Sequence, residues 1–342
     1  MKHRYRSLQA KSVFIVANTL AATLFLGLLA FPSQQAVIGY PNNLTQGPVT
    51  ELLVEQSQWL QGEAFPGRVM ALYLSGSDDS LTPEQPQPTW LNSEGITADL
   101  RSLKTHQVTT FAPYAQLTSL GLYTAAHDLF GNPNDVTPRN SIIHRRFDNT
   151  AARLFGVKYV LADSQLTDPR VRQMAVVNGQ PVVRLYEVND PNTSGFSPTR
   201  VVMASNWAQI RESFGRRSFD PRDTAILLEN GPNSDRVPTE LGAIKTSSIR
   251  LVGSGIEVNA ELANPQERAL AVLPFEFSHC MMVSSVSGQS PAELVPVNGI
   301  LTGLVVSESG RYEIQALTSP FRTPVCRLQD IEWWKRLFPS PN

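Results

Sequence analysis

Adjacent carboxylates are the first chemistry to look for. Asp78 and Asp79 in SGSDDSLTP could hold a divalent ion beside a sugar phosphate, since carboxylate oxygens are what hard cations take. The same run is rich in turn formers, where an acidic pair is more often simply solvated. Asp220 and Asp223 in SFDPRD offer a possible acid and base. Pro221, directly after Asp220, fits instead a turn that opens the following strand. The five histidines, His3, His106, His127, His144 and His279, show neither HxxxH nor HExxH spacing, so a metal site would need ligands from distant segments. No G-x-S-x-G occurs, and the GSG at Gly253 is too short for a phosphate loop. No residue is therefore assigned a catalytic or metal-binding role, and no cofactor is implied.

Binding chemistry has more candidates. His144, Arg145, Arg146 and Arg153 form the densest basic cluster, IIHRRFDNTAAR. Guanidinium forks suit phosphate oxygens, although a solvated helix start is the plainer reading. Trp59, Trp90, Phe111 and Tyr114 could make a carbohydrate-stacking surface, with core packing as the ordinary alternative. Cys280 and Cys326 are the two cysteines of the chain. They could close a disulfide in an oxidising compartment, or Cys280, within FSHCMMV, could be a buried free thiol.

The elements that must position these residues begin after a membrane-length segment. Residues 1–11 carry Lys2, Arg4, Arg6 and Lys11 and no acid, and residues 12–31, SVFIVANTLAATLFLGLLAF, carry no charge. About 20 apolar residues at 1.5 Å each cover a hydrocarbon core of roughly 30 Å. A cleaved signal peptide is the rival; its apolar core is usually shorter, and the pairs Gln34/Ala36 and Leu28/Ala30 make poor cleavage sites. We therefore expect an anchor with a cytoplasmic N-terminus and an extracytoplasmic bulk, periplasmic or at the cell surface.

The chain has 342 residues, Lys+Arg 29 against Asp+Glu 30, 17% charged and 42% hydrophobic residues. That composition is too apolar for a disordered chain, and a net charge of -1 leaves no electrostatic footprint for nucleic acid. After a linker over 32–48, a mixed α/β domain is expected over 49–235. Within it RVMALYL, VKYVL, VVRLYEV, TRVVMAS and TAILLE read as strands, and SNWAQIRESF as a helix capped by Ser205 or Asn206. Residues 236–320 change character. Strand-length runs such as GIEVNAEL alternate with period two between Gly, Pro, Asn and Ser turns, which predicts an antiparallel β-sandwich. The predicted class is α+β with one transmembrane helix. In the tail, 321–342, Ile331, Trp334, Leu337 and Phe338 recur at helical spacing around Lys335 and Arg336. It suits either a membrane interface or packing back onto the β-domain.

The order LFGVKYVLAD, VVRLYEVND, TRVVMAS, SFDPRDTAILLE and, after a β-rich stretch, VPVNGILTGLVVSESGRYEIQA resembles the extracytoplasmic C-terminal region of the YfhO-like bacterial membrane proteins. The matching stretches are Gly156 to Leu161, Arg184 to Val188, Thr199 to Met203 and Phe219 to Leu228, within a resemblance over roughly residues 50 to 318. Those proteins are relatives of multi-span glycosyltransferases that use a polyprenyl-phosphate-linked sugar. Two departures matter. The family's catalytic acids lie in early outer loops among about a dozen spans, whereas this sequence has one expected span and no such loops, and SSVSGQSP lacks the Trp usual before the VNG turn.

The resemblance implies the outer module of a glycosyltransferase-like protein without its catalytic half. The function expected is a membrane-anchored accessory or glycan-recognition module, with a bilayer, a polytopic glycosyltransferase or an envelope glycan as partners. Two alternatives stand beside it: the non-catalytic chain of a split lipid-linked-sugar glycosyltransferase, and an independent hydrolase or transferase.

Overall fold

The computed structural model describes residues 62–72, 147–162, 164–177, 182–216, 218–252, 255–286, 292–316 and 323–338. In chain order these form β1 (Arg68–Leu72), α1 (Asn149–Leu154), β2 (Val157–Ala162), β3 (Val171–Val177), β4 (Val183–Val188), β5 (Arg200–Ala204), α2 (Trp207–Gly215) and β6 (Thr224–Leu228). There follow β7 (Ile244–Val252), β8 (Gly255–Leu262), β9 (Ala269–Glu276), β10 (Met281–Ser285), β11 (Glu293–Val297), β12 (Leu301–Val306), β13 (Gly310–Ala316) and α3 (Thr323–Leu337). The described residues are thus mostly β-sheet with few helices, an α+β arrangement with several antiparallel sheets. Among them no helix is long and apolar enough to cross a membrane. The segment 12–31, where an anchor is expected, lies outside the described residues.

The described residues form four sheets, ordered β1-β2-β4-β3, β5-β6, β10-β13-β8-β7 and β11-β12-β9. The first is mixed: β1 runs parallel to β2, and β4 is antiparallel to both β2 and β3. The two later sheets are antiparallel throughout. Local chemistry sets the element boundaries. Asp148 caps α1, its side chain accepting from Ala151 N, and Gly156, at φ +68, turns the chain from α1 into β2. A Cβ there would lie 2.8 Å from the Asn192 carbonyl oxygen, so position and conformation both demand glycine. Asn206 caps α2 by accepting from Gln209 N.

The sheet β11-β12-β9 is buried on both faces. Ala269, Ala271, Leu273 and Phe275 of β9 enter one apolar cluster with Ile249, Val258, Leu304 and Ile314. Leu270 and Val272, the alternate residues, enter a second cluster with Met70, Val160, Ile226 and Trp333. Every residue of β9 is consequently buried, because period-two alternation points each side chain into one of two cores. The second cluster joins residues from 70 to 337, so the core crosses the boundary expected near residue 235.

Buried polar groups staple these layers. Arg68 donates to the carbonyl oxygens of Phe155 and Pro274, with its guanidinium 5.5 Å from the Phe65 ring and 5.6 Å from the Phe275 ring. Asn192 Nδ2 donates to Leu154 O at 3.2 Å and to Val272 O at 2.9 Å, and its Oδ1 accepts from Gly195 N at 3.1 Å.

Helix α3 packs inward. Trp333, Trp334 and Leu337 enter the second cluster, and Phe338 lies 5.1 Å from Trp207, centroid to centroid. Its first turn is tied to the start of β10 by a disulfide, Cys280–Cys326, with Cα atoms 5.1 Å apart. Ile331, placed by spacing on the same face as Trp334 and Leu337, instead points outward.

Candidate functional site

Strand β5, helix α2 and strand β6 make a β-α-β unit with parallel strands in register from Arg200↔Thr224 to Ala204↔Leu228. The apolar face of α2, Trp207, Ile210 and Phe214, enters the core cluster that also takes Val201 and Ile226. On one edge of β5, Val201 N donates to Thr239 O at 2.9 Å and Thr199 O accepts from Leu241 N at 3.0 Å. Past Val201 the strand lines an open cleft of about 710 Å³.

The cleft mixes two kinds of surface. Val202 and Met203, consecutive on β5 and 46% and 44% exposed, give it apolar carbon, as does Phe219. Around it stand Gln209, Glu212, Ser213 and Arg216 from α2 and the residue after it. Arg200, Thr224, Thr239 and Glu240 complete the lining from the strands. Arg216 pairs with Glu212 at 2.8 Å, and Arg200, bridged to Glu240 through the backbone, donates to Thr224 Oγ1 at 3.2 Å. A lining of hydrogen-bonding groups beside apolar carbon can take a polyhydroxylated ligand, whose rings carry hydroxyls at the edge and C–H bonds on the face.

Glu212 and Glu240 line the same cleft. A glycosidase needs one such carboxyl in an apolar setting. Glu212 is instead 66% exposed and salt-bridged, and Glu240 is exposed.

Arg153 belongs to a different arrangement. Its Nη2 pairs with Asp220 at 3.4 Å, its Nε donates to Asp190 O at 3.4 Å, and its guanidinium lies 5.8 Å from the Phe196 ring. Arg222 lies 5.6 Å from the same ring and pairs with Asp190 at 3.4 Å. Largely buried and so engaged, Arg153 joins α1 to the turn before β6 rather than facing a phosphate. Asp220 makes that turn: its carbonyl accepts from Asp223 N and Thr224 N, and its carboxylate from Arg222 N at 3.0 Å.

One constellation has the residue types of hydrolytic chemistry. Asp330 Oδ2 accepts from Ser278 Oγ at 2.6 Å, and Asp330 Oδ1 accepts from His279 N at 2.7 Å and lies 2.8 Å from His279 Nδ1. In a nucleophilic triad the histidine would stand between serine and aspartate. Here the serine bonds the aspartate directly and also accepts from Cys280 N at 3.0 Å, so the group clamps α3 beside the disulfide.

The other sequence candidates, Trp59, Trp90, Phe111, Tyr114, Asp78, Asp79, His144, Arg145 and Arg146, lie outside the described residues. Among the described residues no group of three or more His, Cys, Asp or Glu side chains is placed to hold a metal ion. The cleft residues escape sequence reasoning because their common feature, exposed apolar side chains on a strand bordered by a helix, exists only once β5 and α2 are placed. Neither protein-family models nor curated proteins nor solved structures match this chain.

Proposed function

We propose that the chain is a membrane-anchored, extracytoplasmic glycan-recognition or accessory module, akin to the outer region of the YfhO-like proteins and without catalysis of its own. In this reading an α/β part is followed by a β-sandwich, residues 12–31 hold the chain to the bilayer, and the cleft beside β5 binds sugar. The observation that carries it is the cleft lining: hydrogen-bonding side chains, Arg200, Gln209, Thr224 and Glu240 among them, around the exposed Val202 and Met203. The test is a glycan array with the full chain in detergent. Arg200→Ala and Val202→Asp should each abolish the signals of the wild type. Binding unchanged in both variants would remove the cleft from the reading.

A second reading, hydrolysis, has one observation behind it, that Glu212 and Glu240 line the same cleft. Release of reducing ends by the wild type but not by Glu240→Gln would replace recognition with cleavage.

A further inference from the structure

An asparagine followed by glycine carries a reaction of its own. The glycine has no Cβ to shield its backbone nitrogen, which can attack the asparagine Cγ and close a succinimide ring. A bond forms from that nitrogen to Cγ, the bond from Cγ to Nδ2 breaks, and ammonia leaves with the proton the backbone nitrogen gives up. Water then opens the ring at either carbonyl. The product is aspartate or, with one extra carbon in the main chain, isoaspartate. The sequence holds three such pairs, beginning at Asn178, Asn230 and Asn298. Asn178 lies outside the described residues, and the fold treats the other two oppositely.

Asn298 is locked. It is 1% exposed, its Oδ1 accepts from Ile226 N at 2.9 Å, and its backbone N donates to Ile226 O at 2.7 Å. Turning its side chain toward Gly299 N would strip Ile226 N of its acceptor, and a side chain buried this fully is closed to the water that completes the reaction. Gly299 itself lies against the Trp207 ring, where a Cβ would come within 2.7 Å. Reaction at Asn298 therefore waits on an opening of the core between β6 and α2.

Asn230 stands in the turn that leaves β6. It is exposed, as is Glu229 before it, and among the described residues no hydrogen bond holds its side-chain amide. Gly231 N donates to Leu228 O at 2.9 Å, closing the turn, so attack needs that one bond to open. A turn contact beside two exposed residues opens locally. The turn also supports α3: a Cβ on Gly231 would lie 3.4 Å from the Trp333 ring. Isoaspartate at 230 adds a main-chain carbon between β6 and that contact.

We propose that Asn230 is a site of spontaneous deamidation in the folded protein, that Asn298 is protected by its hold on β6, and that isoaspartate at 230 weakens the fold through the turn beside Trp333. This is independent of the cleft.

The test ages the full chain in detergent at mildly alkaline pH in heavy-oxygen water, natively and in urea. Peptides are then mapped by electron-transfer mass spectrometry, which separates aspartate from isoaspartate. In urea the two sites, each followed by glycine, should convert at similar rates. In the native chain Asn230 should convert roughly tenfold faster than Asn298 or more, because only its opening is local. Native protection of Asn230 equal to that of Asn298, or faster conversion at Asn298, would overturn the assignment. Pulse proteolysis of the aged protein in rising urea reads the consequence. Molecules with isoaspartate at 230 should be digested at lower urea than molecules with aspartate there, which carry the same charge without the extra carbon. Equal survival of the two would overturn the link to Trp333.

Discussion

Asn298 and Ile226 are bonded in both directions across the core: Asn298 N donates to Ile226 O at 2.7 Å, and Ile226 N donates to Asn298 Oδ1 at 2.9 Å. A single turn residue thereby does for β6 what a neighbouring strand would do. Asn298 can adopt the required φ of 52, and Gly299 follows at φ +87 against the Trp207 ring, where a Cβ would lie 2.7 Å from that ring. Asn298→Gly keeps the backbone conformation but orphans the buried Ile226 N–H, and should destabilise by about 1–3 kcal/mol. Asn298→Ala should lose roughly 1 kcal/mol more through left-handed strain. Urea unfolding midpoints measure both, and a wild-type midpoint for Asn298→Gly would show that Ile226 N has another partner.

Replacing Arg68 removes the donor to the carbonyls of Phe155 and Pro274 in a site closed by two phenyl rings. Arg68→Met should lower unfolding free energy by about 3 kcal/mol. Arg68→Lys should recover only part of that, because the ammonium sits on a shorter side chain than the Nη1 that donates to both carbonyls and has no planar face to lay against the two rings. Full recovery with lysine would show that charge rather than geometry holds the site.

The Cys280–Cys326 bond closes a loop of sequence separation 46. Its loss in Cys280→Ala/Cys326→Ala should destabilise by up to about 4 kcal/mol on the chain-entropy account. Emission from Trp333 and Trp334 should shift red at lower denaturant in this variant. Adding Asp330→Ala should move that shift lower again, since the Ser278 and His279 bonds still hold α3 when the disulfide is gone. Coincident curves for the double and triple variants would deny Asp330 a clamping role.

Arg170 donates to Asp168 from its backbone N at 2.9 Å, its Nε at 3.1 Å and its Nη2 at 3.0 Å. Burial, the largest single influence, pushes the Asp168 carboxyl up, but the Arg170 side-chain and backbone hydrogen bonds and its charge together outweigh it and hold the carboxyl below the usual range. A group held lower in the folded than in the unfolded chain stabilises above its unfolded value, and that contribution is lost as pH falls through the folded value. NMR titration of the Asp168 carboxyl carbon should therefore give a midpoint under the ordinary value of roughly 3.9. Asp168→Asn should remove this residue's part of the acid sensitivity. A midpoint at or above the ordinary value would contradict the assignment.

Elements defined by local chemistry are legible without coordinates. The strands VKYVL, VVRLYEV and TAILLE, the α2 cap at Asn206, the Gly156 break and the SFDPRD turn all depend on neighbours within a few residues. Strand β3, VRQMAVV, gives no such signal because its exposed Arg172, Gln173 and Met174 break any alternation. The two-sided burial of β11-β12-β9 is present in the uninterrupted apolar run ALAVLPF, which a one-faced sheet would not carry. What that run cannot name is the second layer. Long-range chemistry is likewise silent: Arg68 looks like a charge opening a strand until Pro274, 206 residues away, supplies its carbonyl. Asp330 reaches His279 across 51 residues, with no spacing rule to announce it.

The doubly covered sheet also bears on what the chain tolerates losing. One apolar cluster gathers Met70, Leu270 and Trp333, so among the described residues its burial is complete only when β1, β9 and α3 are all in place. Removing α3 strips Trp333, Trp334 and Leu337 from that cluster, so a chain truncated before Thr323 should expose apolar surface that the full fold covers.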